Sequence, residues 1–514
     1  MRALRRLVNA GIVLFLVAAL LLGAQLSGGA WAPESGDASK ESGEGEICRI
    51  RMTYPIWEGI SVITDLEEIQ EEVNEISRKE IGVEVELIPV DVNDAKEDYL
   101  LWLGRGDTLD LMLIRDQDIH SYIDKGFLTS LSGHLERNAQ SVWLLDKLME
   151  GKLTGRTKQQ GRIYGVANLT EQTGYGYGVW VSRALLEQLD YSYDPNHIYT
   201  LEELDEIFSG IKYLYPDSYP LGQITAGTQS TTAFYYMDVG DALGGDLSTG
   251  VVFDENDAVM NLFTTIEYYT LLSYLQQWYE AEYIYPDSVI YDAPITDLLR
   301  NQTVWMVPAS SFPGTMELLM GQETDYVCLK TTEPREKSSY DGDFWTVPVT
   351  SRYPTEAVKF LDLMYSDQRI AYLLNYGISG EHYELSDQTN RLLTPVRDEK
   401  SRIQGFYNPF AGIGDTRNMY SFGSANIQAQ RKDYNSGAKP AGVRYDGFSY
   451  SSADVSRQTD AVKKVVETYV PILESGSADL RKNYPEFLKE LREAGIDEIL
   501  RDKQEQLDSW LRQP

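Results

Sequence analysis

The feature that most constrains this chain is a switching hydrophobic period across residues 47–114. Residues 47–54, "ICRIRMTY", read as a strand. Across Thr64 to Lys79, the residues Leu66, Ile69, Val73 and Ile76 recur at three- and four-residue spacing, the stripe of an amphipathic helix. "GVEVELIPV" (82–90) alternates at period two and reads as a second strand. Glu97 to Leu103 read as a helix, broken by Gly104 and Gly106, and "DLMLI" (110–114) is a short strand apolar on both faces. Strands alternating with helices require crossover connections, so the expected class is α/β, with mixed but mostly parallel sheets flanked by helices.

The remaining chain continues in the same style. "GRIYGVAN" (161–168) and "YGYGVWVSRALLEQL" (175–189) each contain a strand, the second running straight into a helix. Thr200 with Glu203 forms a capping box opening a helix over 200–214. A long helix is expected over 257–281, with Val259, Leu262, Phe263, Ile266 and Tyr269 on one side. "TVWMVPA" (303–309) and "DFWTVPVT" (343–350) read as strands and "PTEAVKFLDLMYSD" (354–367) as a helix. The tail reads as helices over 453–468, 478–493 and 496–511, separated by breaks at Pro471 and "ESGS" (474–477). At 514 residues the chain is long enough for two or three domains or one bilobal protein.

Charge and cysteine usage narrow the function. A formal net charge of −33 argues against nucleic acid and against adhesion to anionic lipid, both of which need clustered Lys and Arg. The two cysteines, Cys48 and Cys328, form no CxxC pair, so one disulfide and two buried thiols both remain open. His120, His134, His197 and His382 have no metal-ligand spacing. Arg2, Arg5 and Arg6 precede the apolar run "AGIVLFLVAALLLGA", the pattern of a secretory signal too short to span a membrane. Residues 1–32 are therefore expected to be a leader, cleaved or retained as a tether, and "PESGDASKESGEGE" (33–46) a flexible linker. The expected location is extracellular.

Aromatics are the strongest chemical signal, with 35 Tyr and 9 Trp against 14 Phe. Tyr and Trp pair an apolar face with a polar edge, which suits the C–H faces and hydroxyls of a sugar. Many of the tyrosines also fit as rims of core helices. In open α/β sheets ligands bind beyond the carboxyl ends of strands, and Tyr54, Trp57, Asp107, Tyr175 and Trp345 are candidates of that kind. No spacing among the many carboxylates singles out a hydrolase acid–base pair. "GGDLSTG" (244–250) lacks the Lys of a phosphate-binding loop, "DENDA" (254–258) lacks the rest of a calcium loop, and GxSxG is absent.

Several stretches, taken in order, resemble the extracellular solute-binding proteins of ABC importers, the group-one oligosaccharide type. They are "GRGDTLDLMLI" (104–114), "HSYIDKGFLTSLSGHLE" (120–136), "GRIYGVAN" (161–168) and "DFWTVPVTSRYPTEAVKFLDLMYSD" (343–367). "LLNYGISGEHYEL" (373–385) and "AGIDEILRDKQEQLDSWL" (494–511) are similar to a Gram-positive lipoprotein-like subgroup ending in a helical domain of unknown function. The chain departs from the pattern by lacking a lipobox Cys after the apolar run and by having Ala167 where Pro is frequent. The resemblance implies a two-lobe, periplasmic-binding-protein-like fold: 46–175 with 344–400 as the first lobe, and 176–343 with 401–514 as the second. It implies a non-catalytic, monomeric receptor without cofactors that captures a sugar or oligosaccharide and hands it to a membrane permease. Expected ligand-binding residues are Tyr54, Trp57, Asp107, Gln172, Tyr175, Tyr177, Asp343 and Trp345. A binder of peptide or another solute, a secreted carbohydrate-active hydrolase, and a sensory partner of a membrane kinase remain as alternatives.

Overall fold

The computed structural model describes residues 47–512 except 171–173, 223–230, 254–256, 287–294, 337–342, 390, 440–444 and 446–447. Strand Cys48–Ile56 pairs in parallel with strand Val83–Asp91 across helix Leu66–Ile81, the crossover that the change of period requires. A parallel bridge from Met52 to Leu111 brings in strand Met112–Ile114. Strand Phe344–Thr346 then lies antiparallel between that strand and Gly165–Ala167. A second sheet is built on strand Tyr177–Ser182, flanked by antiparallel strands Val304–Ser310 and Tyr326–Lys330. Strand Tyr219–Leu221 runs parallel beyond Val304–Ser310.

Each sheet has its own core, and this is the physical basis of the two lobes. One buried cluster draws on residues 48–167 and 344–413, with Ile50, Val85, Leu111, Trp345, Phe360 and Leu361 inside it. The other draws on residues 179–329 and 450–499. Phe406, Ala411 and Ile413 join the first cluster, although residues from 401 onward were expected in the second lobe.

The tail is part of the second core. Val462, Val466, Val470 and Leu473 of helix Ser456–Glu474 pack with Phe487 and Leu491 of the next helix against Leu271, Leu272 and Phe263. Burial of each such side chain contributes roughly 1.5–3 kcal/mol. Gly476 ends the first tail helix at φ +77°, and a Cβ there would stand 2.1 Å from the Leu275 carbonyl oxygen. Only glycine allows both the backbone conformation and that approach.

Several element boundaries differ from expectation. The capping box at Thr200 and Glu203 is present and opens helix Leu201–Leu214. The long helix expected over 257–281 is shorter: Asn261 caps a single turn, and Thr265 caps helix Ile266–Glu280. Pro471 does not break the tail. It lies inside helix Ser456–Glu474, where the burial of Val470 and Leu473 outweighs the lost hydrogen bond. The strand expected over 343–350 is only Phe344–Thr346. Both cysteines are buried, and no disulfide joins them.

Candidate functional site

The strand directions bring one end of each sheet together. In the first sheet the parallel strands finish at Ile56, Asp91 and Ile114, and antiparallel pairing puts Ala167 and Phe344 at that same end. In the second sheet Tyr177 opens its strand opposite Ser310, and Lys330 ends beside Gly178. Residues 168–176 and 331–343 join these two ends, held together by the short pair Gly174–Tyr175 with Arg335–Glu336. Two crossings between facing strand ends define an interlobe cleft.

On the second-lobe side, three rings form a wall. The half-buried Tyr177 ring lies 4.7 Å from Phe234 and 5.5 Å from Tyr235, centroid to centroid. The wall is held from behind. Tyr177 N–H donates to Thr332 Oγ1 at 2.9 Å, and the Thr331 hydroxyl donates to the Tyr235 carbonyl at 2.6 Å. Ahead of the turn Ala233–Tyr235, buried Glu474 accepts from the Thr231 hydroxyl. It also accepts from Thr232 N–H and Oγ1, both at 2.6 Å, and from the Tyr268 hydroxyl at 3.0 Å. Burial lifts the Glu474 carboxyl above its ordinary range, and these donors offset only part of that rise. A tail carboxylate thus fixes the segment that carries Phe234 and Tyr235.

Tyr434 extends the wall. Its hydroxyl shares a 2.8 Å hydrogen bond with Ser311, and its ring meets Phe312 edge-on. In the first lobe, just after strand Cys48–Ile56 ends, Trp57 is half-buried, with its ring 5.8 Å from Phe410. Asn168 Oδ1 accepts from the Trp345 indole at 2.8 Å and from Gly414 N–H at 2.9 Å, and Asn168 N–H donates to the Asp343 carbonyl at 3.2 Å. The lobes feel one another here. Burial and the neighbouring Tyr177 raise the Tyr235 phenol, while the charge of Arg115 from the first lobe partly offsets them.

The expected site residues divide accordingly. Trp57, Tyr175, Tyr177 and Asp343 lie at the facing ends or on the crossings, all half-buried. Tyr54 is a correction. Its ring is fully enclosed within the strand, and its hydroxyl donates to the Leu374 carbonyl at 2.6 Å and accepts from Asn408. Trp345 is likewise enclosed in a central strand, where it positions Asn168 instead of meeting a ligand. Asp107 precedes strand Met112–Ile114 and therefore sits at the amino end of the sheet, away from the cleft, beside Arg51 and Trp102. Gln172 lies outside the described residues. Phe234, Tyr235, Tyr434, Asn168 and Arg115 were not anticipated. The run "TTAFYYM" (231–237) is the signal that could have pointed to the first two.

Residues 72–380 match the model of a family described as bacterial extracellular solute-binding protein, and residues 444–512 match a domain of unknown function. A carbohydrate ABC transporter substrate-binding protein of Streptococcus pneumoniae is 19% identical over 93% of this chain and 94% of its own length. Among solved structures, the N-glycan transport solute-binding protein NgtS of Streptococcus pneumoniae, in complex with Man5GlcNAc, is similar with a TM-score of 0.73 at 17% identity. That match covers 90% of this chain and 99% of NgtS. The Streptococcus pneumoniae substrate-binding protein FusA, in complex with kestose, is similar with a TM-score of 0.62 at 14% identity, over 90% of this chain and 99% of FusA.

Proposed function

Because the chain belongs to the bacterial extracellular solute-binding proteins, we propose that it is a receptor that captures a sugar or oligosaccharide between its lobes and delivers it to an ABC permease without chemical change. The observation that carries this reading is the wall formed by Tyr177, Phe234 and Tyr235 where the chain crosses between the lobes. Rings braced from behind offer stacking faces for sugar C–H groups, and Asp343, Asn168 and Tyr434 supply nearby polar edges for hydroxyls. The similar proteins with carbohydrate in their names support the same ligand class. Tyr175 and Trp57 complete the proposed contact set, with Gln172 kept as a candidate from the sequence. An N-terminal leader would bring the receptor to the cell exterior.

Calorimetry and thermal shift with Man5GlcNAc, kestose and a mixed peptide pool test the reading. A sugar that binds only the folded state at about 100 times its dissociation constant adds about 2.7 kcal/mol of stability. A rise in Tm with sugar, and full recovery of that sugar by chromatography, is the expected result. A rise with peptides alone would overturn the ligand class. Steady loss of the sugar with product formation would overturn the receptor reading in favour of a hydrolase.

A further inference from the structure

The lobes also meet at a second, charged surface. Helix Asp116–Asp124 belongs to the first lobe, because Ile119, Tyr122 and Ile123 sit in its core. Tyr450 and Val462 sit in the core of the second lobe, so the tail residues around them move with that lobe. Three contacts cross between these two bodies. Asp118, 6% exposed, receives Lys96 from its own lobe and stands 3.7 Å from Lys463 Nζ of the tail. His120, 7% exposed, pairs through Nε2 with the Ser449 hydroxyl. Asp124 accepts from the Ser451 hydroxyl at 3.1 Å and from Gln159 at 2.6 Å.

Burial alone would lower the Lys463 ammonium, but Asp246 and Asp118 together lift it above its ordinary range. Asp246 belongs to the tail's own side, so docking of the first lobe adds the part of the compensation that Asp118 supplies. Enclosed ion pairs of this kind gain little net free energy over their hydrated partners, so the docked and parted forms stay close in energy. Removing Asp118 takes away the carboxylate that stands between the Lys96 and Lys463 ammonium groups, which oppose one another across this surface, so the penalty falls on the docked form. The same helix follows directly on Arg115, whose charge reaches Tyr235 in the cleft wall. What fills the cleft and what the tail grips are thus linked by one helix.

We propose that the C-terminal segment 448–512 is a clamp: through Lys463, Ser449 and Ser451 it grips helix Asp116–Asp124 and sets the balance between a closed and an open cleft. The inference rests on the two-lobe fold and the crossing contacts, and it holds whatever the ligand is.

The test uses the ligand-free full chain with spin labels on Leu148→Cys and Tyr213→Cys. These positions are 82% and 86% exposed, and Cys48 and Cys328 are buried. Distance distributions are compared for this parent and for Asp118→Asn, Lys463→Met and Ser451→Asp, with circular dichroism as the folding check. Ser451 is half-buried, and a carboxylate there opposes Asp124 without emptying a core position, so this variant keeps the test decisive if the buried replacements do not fold. The parent is expected to hold a short-distance population whose ratio to the long one falls about tenfold in each folded variant. A parent that already shows only the long distance, or folded variants that reproduce the parent's distribution, would overturn the clamp.

Discussion

Two of the surfaces through which the lobes meet are built on opposite rules. The cleft wall is aromatic: Tyr177, Phe234 and Tyr235 are braced from behind by Thr331, Thr332 and Glu474, and Tyr177 and Tyr235 stay half-exposed. The clamp surface is charged and closes on itself, with Asp118, Lys96 and Lys463 in contact and His120 against Ser449. The rings are braced from behind and partly exposed at Tyr177 and Tyr235, whereas the clamp's lysines are held among buried carboxylates, Asp118 and Asp246. The first surface suits recognition and the second suits control. One tail helix serves both, carrying Lys463 for the clamp and Glu474 for the wall.

The largest effect that could break this comparison is expected at Glu474. Glu474→Ala removes the acceptor of two threonines and a buried tyrosine hydroxyl, and lost partners of this kind cost about 3 kcal/mol in total. Denaturant unfolding should show the loss, and hydrogen exchange should rise over 231–236. Unchanged exchange there would mean that the wall does not depend on the tail. Next comes Tyr177→Ala, which removes the ring that both Phe234 and Tyr235 contact. It should weaken sugar binding in calorimetry by about 30-fold, the scale of a central anchor, while the charged surface and its distance distribution stay as in the parent. Trp57→Ala, in the first lobe, should cost about tenfold in affinity with little change in Tm.

What the sequence made legible follows the same division between short-range and long-range causes. Helix Leu66–Ile81, its flanking strands and the capping box at Thr200 could be read because period and capping are local properties. Trp57 was proposed from the rule about strand ends, which needs only the strand boundaries, whereas Tyr177 opens its strand and was named only with the family resemblance. Tyr54 and Trp345 misled because an aromatic inside a strand and one at its exit look alike in sequence; only neighbouring elements decide which is enclosed. Asp107 misled because it precedes its strand, so the strand's direction puts it at the wrong end of the sheet. Phe234 and Tyr235 lie in a segment without a repeating period, and what places them is pairing with Thr331 and Glu474, far away in sequence. The clamp was invisible for the same reason: Asp118 and Lys463 are ordinary surface charges until the fold joins them.

The smallest expected effect is also the one that separates the two surfaces most cleanly. Burial, then the charge of Arg156, pushes the His120 imidazole down to about 4 while it is docked against Ser449. Arg156 is itself paired with Asp116 at 2.8 Å on the same lobe, and the tail meets His120 through the Ser449 hydroxyl. When the lobes part, water reaches the ring and its pKa returns toward about 6.5. Between those two values the parted form binds a proton that the docked form does not. Docking therefore keeps its full strength above the upper value and loses it as pH falls through the window, by on the order of 1 kcal/mol near pH 6. The labelled parent should shift toward the longer distance between pH 7.5 and 6, and His120→Gln should flatten that response. The cleft wall has no group that titrates in this range among the rings named here, so the intrinsic sugar affinity of a closed cleft should not follow the same curve. If distance and affinity instead rise and fall together, including in His120→Gln, the pH response belongs to the cleft and the division between the two surfaces fails.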